Sequence, residues 1–176
     1  PFHPVLLSLV YRLFGSGLLA LRSVGLVTLT LTRFLLSVFP FRILPDPSWA
    51  HRASWFGTLL VAVHPAVVQG SAILDYDSSF FLLFLTLFFL FWLTVPLSRG
   101  RLAGLSVCYA LCLWARTPIA LVLPFSCGVG YLFGSPRKKE ILFLYLAFLG
   151  GMMLFAVSWV VFVYFAWGMS HVWGPF

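Results

Sequence analysis

Residues 141–167 read ILFLYLAFLGGMMLFAVSWVVFVYFAW, and this stretch decides the fold. It is 27 residues without one charge. A helix crossing a bilayer needs about 20 mostly apolar residues, because the hydrocarbon core is about 30 Å thick and a helix rises about 1.5 Å per residue. The rest of the chain has the same character. Of its 176 residues 62% are apolar, 19% are aromatic and 9% are charged, against roughly 45–50% apolar and about 25% charged in soluble domains. A soluble fold of this length has no interior large enough for that apolar surface. Disorder is excluded too, since disordered chains are polar and poor in aromatics. The net charge of +7 does not indicate nucleic acid, because the basic residues are scattered among apolar runs and form no stripe. The expected class is all-α: a polytopic transmembrane helix bundle, one domain over residues 1–176, in contact with membrane lipids.

Working outward, five more apolar runs precede the last one. The first covers about residues 18–39, and a break with three prolines follows at 40–48. The second covers about 50–69, with Pro65 near its end, and the third about 78–97. The fourth, 102–115, is short and is interrupted by Arg116-Thr117-Pro118. The fifth covers 118–133. Residues 4–14 read as a short interfacial helix ended by Gly15-Ser16-Gly17. The expectation is six spans plus that helix. Cytoplasmic loops of membrane proteins are rich in Lys and Arg. With six spans, Arg42 and Arg52, then Arg99 and Arg101, then Arg137, Lys138 and Lys139 all fall on one side, which makes it cytoplasmic. The 75–77 segment, Arg116 and Phe2-His3-Pro4 then belong to the outer face. The chain opens at Pro1 without a charged n-region or cleavage site, so no signal peptide is expected here and a fragment of a longer protein is.

The chain has four acids, and two of them stand in Ile73-Leu74-Asp75-Tyr76-Asp77. On a helix these two positions point about 200° apart, whereas extended backbone aims them the same way. Gly70-Ser71 upstream favours a loop. Asp77 before Ser78-Ser79 also suits the N-cap of the third span. Asp75 has no such structural role, and acids near bilayer depth are functional by default. A divalent metal on Asp75 and Asp77 would be short of ligands, since such sites take more donors than two carboxylates supply. Water, a lipid phosphate or other residues would have to complete it.

Arg116 stands where Pro118 removes a backbone donor and disfavours helix at Thr117, which leaves a polar notch with a fixed cation. Guanidinium suits phosphate, and snorkelling to head groups is the plain alternative. Arg22 and Arg33 are eleven residues apart on one face of the first span, each expected to snorkel to its own end; Arg22 has a second option, the same site as Arg116. His64, before Pro65, and Gln69 one turn on are candidates to support that site, with packing as the alternative for His64. Glu140 reads as a solvated loop charge, His171 with Trp167 and Trp173 as an outer aromatic belt, and Gly150-Gly151 as a close helix contact. Cys108, Cys112 and Cys127 read as small packing residues. No phosphate-binding glycine loop, dinucleotide pattern, His-Glu-x-x-His or nucleophile elbow is present.

Taken in order, Phe2-His3-Pro4, then Leu13-Phe14-Gly15, Leu21-Arg22-Ser23, His64-Pro65 through Gly70-Ser71 to Asp75-Tyr76-Asp77, and Ala115-Arg116-Thr117-Pro118 with Leu123-Pro124, resemble the GT-C class of membrane glycosyltransferases. The dolichyl-phosphate-mannose protein mannosyltransferase and aminoarabinose transferase branch is the nearest likeness. The resemblance runs over nearly the whole chain through short motifs. It implies transfer of a sugar from a polyprenyl- or dolichyl-phosphate donor to an acceptor at the outer face of a cell inner membrane or of the endoplasmic reticulum. An acid would serve as general base on the acceptor hydroxyl, with the departing phosphate neutralised by arginine, lysine or a divalent metal. Arg116, Arg22 and His3 would hold donor phosphate, and Asp75 and Asp77 would organise sugar, acceptor or metal. Val5 stands where the family often has a second proline, and Arg116 where lysine is common. The family's catalytic acid lies in an outer loop ahead of the His-Pro segment, so it is expected upstream of Pro1, and this stretch alone is expected to be inactive. Two other classes remain: a transporter or channel segment, and a non-catalytic lipid-binding subunit. A transporter calls for midplane polar residues and matching broken helices; here the polar groups gather at one face.

Overall fold

The computed structural model describes residues 2–15, 18–63, 76–94, 98–133 and 138–167. Among them it is all-helical: α1 (Phe2–Phe14), α2 (Leu18–Ile43), α3 (Pro47–Val63), α4 (Tyr76–Thr94), α5 (Arg99–Ala120), α6 (Val122–Phe133) and α7 (Lys138–Trp167). Among the described residues three stretches are long and apolar enough to cross a membrane: Arg22–Ile43, Arg99–Ala120 and Lys139–Phe165. The chain is therefore a helical membrane protein. α1 and α3 are shorter. α4 is apolar over its described stretch Ser79–Leu93. The twelve residues of α6 rise about 18 Å, well under a hydrocarbon core. The described helices thus supply three of the six expected spans by this measure.

The expected break at Pro40 is absent. α2 runs through Pro40 to Ile43. Proline removes one helical donor and crowds the carbonyl a turn behind it. The carbonyl left without its donor is that of Leu36; one residue on, the Ser54 hydroxyl of α3 donates to the Ser37 carbonyl at 2.9 Å and ties the two helices there. The turn comes after Leu44 instead, whose N–H still bonds Pro40 O at 2.9 Å. α3 then starts inside the expected break, on a cap at Asp46. Asp46 Oδ1 accepts from Ser48 N at 2.8 Å, and Pro47 occupies the first helical position, where no N–H is needed. The Ser48 backbone N–H, and then its hydroxyl, hold the Asp46 carboxyl below the usual carboxylate range. α2 and α3 form an antiparallel hairpin: Phe41 meets His51 edge-on at 5.6 Å, and Ser37 meets Ser54. α1 ends as expected at Gly15, whose φ of +78° is comfortable for glycine alone, with its N–H on Tyr11 O.

The packed centre lies among α4, α5 and α7. Phe88 of α4 stacks on Phe148 of α7 at 5.5 Å, and Tyr109 of α5 meets Phe148 edge-on at 4.7 Å. Leu105, Cys108, Cys112 and Leu113 of α5 and Leu144 and Ala147 of α7 are buried around these rings. Cys108 and Cys112 are thus core packing residues, and all three cysteines are free thiols. Lipid offers no hydrophobic drive to bring helices together, so close van der Waals fit must do it, and small residues permit that fit. A Cβ on Gly151 would lie 2.8 Å from the Ser106 carbonyl oxygen and 2.7 Å from the Tyr109 ring. Gly150 and Gly151 thus do form the expected close helix contact. Met153, Val157, Val160 and Phe165 of α7 stay exposed on the outside.

Helix directions follow from these pairs. Phe88 pairs with Tyr109 and Trp92 with Arg101, so α4 and α5 are antiparallel. Ser106 lies against Gly150 and Trp114 against Ser158, so α5 and α7 are parallel. Two parallel helices require the chain to travel back between them, and α6 lies on that return. Arg99 and Arg101 therefore sit at the same end of the bundle as Lys139.

Candidate functional site

Among the described residues selected from the sequence, Arg116 has its backbone set apart. Inside α5 it alone leaves helical geometry, at φ −147° and ψ 81°. Proline at 118 was expected to push Thr117 out of the helix; the departure falls one residue earlier. The Thr117 side chain accounts for part of this, since its hydroxyl donates to Leu113 O at 2.7 Å and serves a carbonyl in the turn that the kink opens. Beyond the kink the chain folds back. Tyr109 Oη donates to Ala120 O at 3.2 Å, and both residues are buried. On a straight helix these residues would stand about 16 Å apart along the axis, out of reach of a tyrosine. The expected helix break exists, as a reversal tied by a buried hydrogen bond.

The wall beside the reversal is aromatic. Trp114 packs with Phe155, Trp159 and Phe162 of α7 at centroid distances of 5.8, 5.8 and 5.7 Å. Trp114 Nε1 donates to Ser158 Oγ at 2.7 Å, and that hydroxyl donates onward to Phe155 O at 2.9 Å. Arg116, half-buried, stands two residues beyond this fixed indole. It lies 17 residues past Arg99, about 26 Å along the helix, close to the depth of a bilayer core. The cation at the kink and the cations at the start of α5 occupy opposite ends of one helix.

The other candidates are less fully described. Arg22 is exposed in the first turns of α2. His3 lies in α1 and Asp77 in the first turn of α4, and the side chains of both are outside the described residues. Asp75, His64 and Gln69 lie outside the described residues altogether, as do His171 and Trp173. Two expectations for the acidic pair change nonetheless. Tyr76 and Asp77 are already helical, so Asp77 is inside the first turn and does not cap it. The non-helical backbone that would aim both carboxylates together is absent at Asp77. A carboxylate in a first turn suits the positive end of the helix dipole. Among the described residues no three His, Cys, Asp or Glu side chains gather as a metal site would require.

Two arginines stand out in the structure that the sequence passed over as loop or snorkelling charges. Arg101 donates from Nη2 to Trp92 O in the last turn of α4, and its guanidinium lies 5.8 Å from the Phe143 ring of α7. A cation on the terminal carbonyls of one helix and over a ring of another joins three helices at the basic end. Arg33 is half-buried in α2, and its Nε is buried without a hydrogen-bond partner. Its only sequence signal was an arginine inside an apolar run. The run's true length was needed to give that signal weight. No family model, curated protein or solved structure matches the chain.

Proposed function

We propose that the chain belongs to a membrane glycosyltransferase that moves a sugar from a polyprenyl- or dolichyl-phosphate donor to an acceptor at the outer face. One observation carries this reading: the short motifs at His3-Pro4, Arg22, His64-Pro65, Asp75-Tyr76-Asp77 and Arg116-Thr117-Pro118 occur in this order along an apolar helical chain. The broken helix at Arg116, at the far end from Arg99 and Lys139, supports it, because a lipid phosphate enters a protein from the head-group boundary. In this reading the protein crosses the membrane six times, and the return between parallel α5 and α7 favours that count. Arg116 and Arg22 neutralise the donor phosphate as it leaves. His3 assists them, and His64 and Gln69 support the same site. Asp75 and Asp77 orient the sugar or the acceptor, or hold a divalent metal. The general base is an acid outside this chain segment.

The test is sugar transfer by the whole protein in membrane vesicles, with a labelled polyprenyl-phosphate sugar as donor. Removing one charge-stabilising group from such a site lowers turnover by about 100-fold or more. Arg116→Ala is expected to do so, Arg116→Lys to retain part of the rate, and Asp75→Asn to lower it. Wild-type turnover in both Arg116→Ala and Asp75→Asn would refute the assignment.

A further inference from the structure

Leu82, Leu85, Thr86, Phe89 and Leu93 of α4 recur at helical steps and so follow one stripe of that helix. Leu36 and Phe39 of α2, one turn apart, stand across from it. Between the two helices runs a groove of about 330 Å³, open along one side. Its exposed lining is hydrocarbon. Thr86 brings a hydroxyl, but that group donates to Leu82 O at 2.8 Å within its own helix.

The dimensions of the groove select its occupant. Leu82 to Leu93 is about 16 Å along the helix axis. Spread over that length, 330 Å³ gives a section of about 20 Å². A helix about 10–12 Å across needs about four times that section or more. One extended hydrocarbon chain fills it. Apolar cavities stay dry, so water does not compete. In lipid the gain comes from contact: side chains along an empty groove forfeit dispersion partners, and a hydrocarbon chain laid against them restores these. The protein is a helical membrane protein, so acyl chains are the medium into which this groove opens.

The groove also has a charged end. Leu93, 50% exposed, lies one residue before the end of α4. Arg101 donates to the carbonyl of the adjoining Trp92. The partners described for Arg101, that carbonyl and the Phe143 ring, are both neutral, so its charge attracts an anion to this end. Glu140 lies at the same end, and Lys139 beside it offsets its charge.

We infer that the groove between α2 and α4 seats one acyl chain of an anionic phospholipid, with the lipid phosphate at the Arg101 end. The assignment stands apart from the transferase reading, since this phosphate lies at the opposite end of α5 from Arg116.

The test uses the whole protein in phosphatidylcholine vesicles that contain phosphatidylglycerol with a diazirine midway along one acyl chain. Irradiation followed by peptide mass spectrometry maps the adducts. They are expected on residues 36–39 and 82–93, in excess over the exposed face of α7 at Met153 and Val157. A basic side chain favours an anionic lipid about fivefold. Unlabelled phosphatidylglycerol is therefore expected to displace the label about fivefold better than phosphatidylcholine does. Arg101→Gln, which can still donate to Trp92 O, removes that preference and keeps the adducts. Leu36→Trp fills the groove and removes the adducts, whereas Val157→Trp leaves them in place. Circular dichroism checks the fold of each variant, and the wild-type map with its competition decides the matter if Leu36→Trp does not fold. Adducts spread evenly over α7 and the groove, adducts that survive a folded Leu36→Trp, or equal displacement by the two phospholipids overturn the assignment. So does displacement by a polyprenyl phosphate at a lower concentration than by phosphatidylglycerol.

Discussion

Two adjacent glycines in α7 should respond unequally to the same substitution. A Cβ at Gly150 would meet Ser106 Oγ at 2.7 Å and Ser106 Cβ at 3.3 Å. The nearest atom there is the end of a side chain that can rotate away. A Cβ at Gly151 would meet the Ser106 carbonyl oxygen at 2.8 Å, with Tyr109 Cδ1 at 2.7 Å and Tyr109 Cβ at 3.0 Å. That oxygen is backbone. The ring is fully buried, held by Phe88 and Phe148 and by its bond to Ala120 O. Neither can yield without moving α5 against α7. Replacing glycine by alanine favours a helix by about 1 kcal/mol at either position. In the difference between the two variants this gain cancels, and the contact remains. Overpacking a close-fitted interior costs about 1–3 kcal/mol. Gly151→Ala should therefore be less stable than Gly150→Ala by about 1–3 kcal/mol, roughly five- to 150-fold in the unfolding equilibrium. Reversible unfolding in mixed micelles, followed by tryptophan fluorescence while the denaturing detergent is raised, measures this difference directly. Equal stabilities, or Gly151→Ala the more stable, would refute the parallel α5–α7 packing described above.

Two further outcomes follow from the same structure. A cysteine placed at 137 should react with a membrane-impermeant reagent only after the membrane is opened, and one at 76 without opening; the reverse pattern overturns the orientation on which the outer-face site depends. Asp46 should make the first turn of α3 sensitive to acid. Its folded carboxyl titrates below the ordinary range, so its contribution is fully present above the unfolded value of about 4 and is lost as pH falls through the folded one. The Ser48 amide resonance should shift over that acidic window in the native protein and stay flat in Asp46→Asn, which accepts the same bond without titrating; a shift that persists in the variant assigns it to another group.

The two arginines in α2 show how legibility depends on tertiary packing. Their shared face was plain from their spacing, since eleven residues close three turns. Their depths were not. Pro40 reads as a stop because proline lacks a donor, and nothing local to residues 36–40 announces the α3 helix that packs there, with Ser54 on the Ser37 carbonyl. With the helix shortened to residue 39, Arg33 looks like a boundary residue. In the 75–77 segment, Tyr76 and Asp77 are already helical, earlier than a third span from about 78, while Gly70-Ser71 and Asp75 lie outside the described residues. For α5, the proline rule located the disturbance to within one residue. Which backbone angle absorbs it depended on where Tyr109 and Thr117 find acceptors.

The sequence alone determined the solvent. Uncharged runs such as 141–167 can lie in lipid and nowhere else at this chain length, and their backbone must then be helical because lipid offers no hydrogen bonds. It also determined the helix stop made by local chemistry at Gly15. The tertiary structure decided which helices run parallel, which glycine touches backbone, and which arginine is left at mid-depth. Helices in lipid present nearly uniform apolar faces. Side-chain fit chooses their neighbours, and that fit exists only once two helices meet.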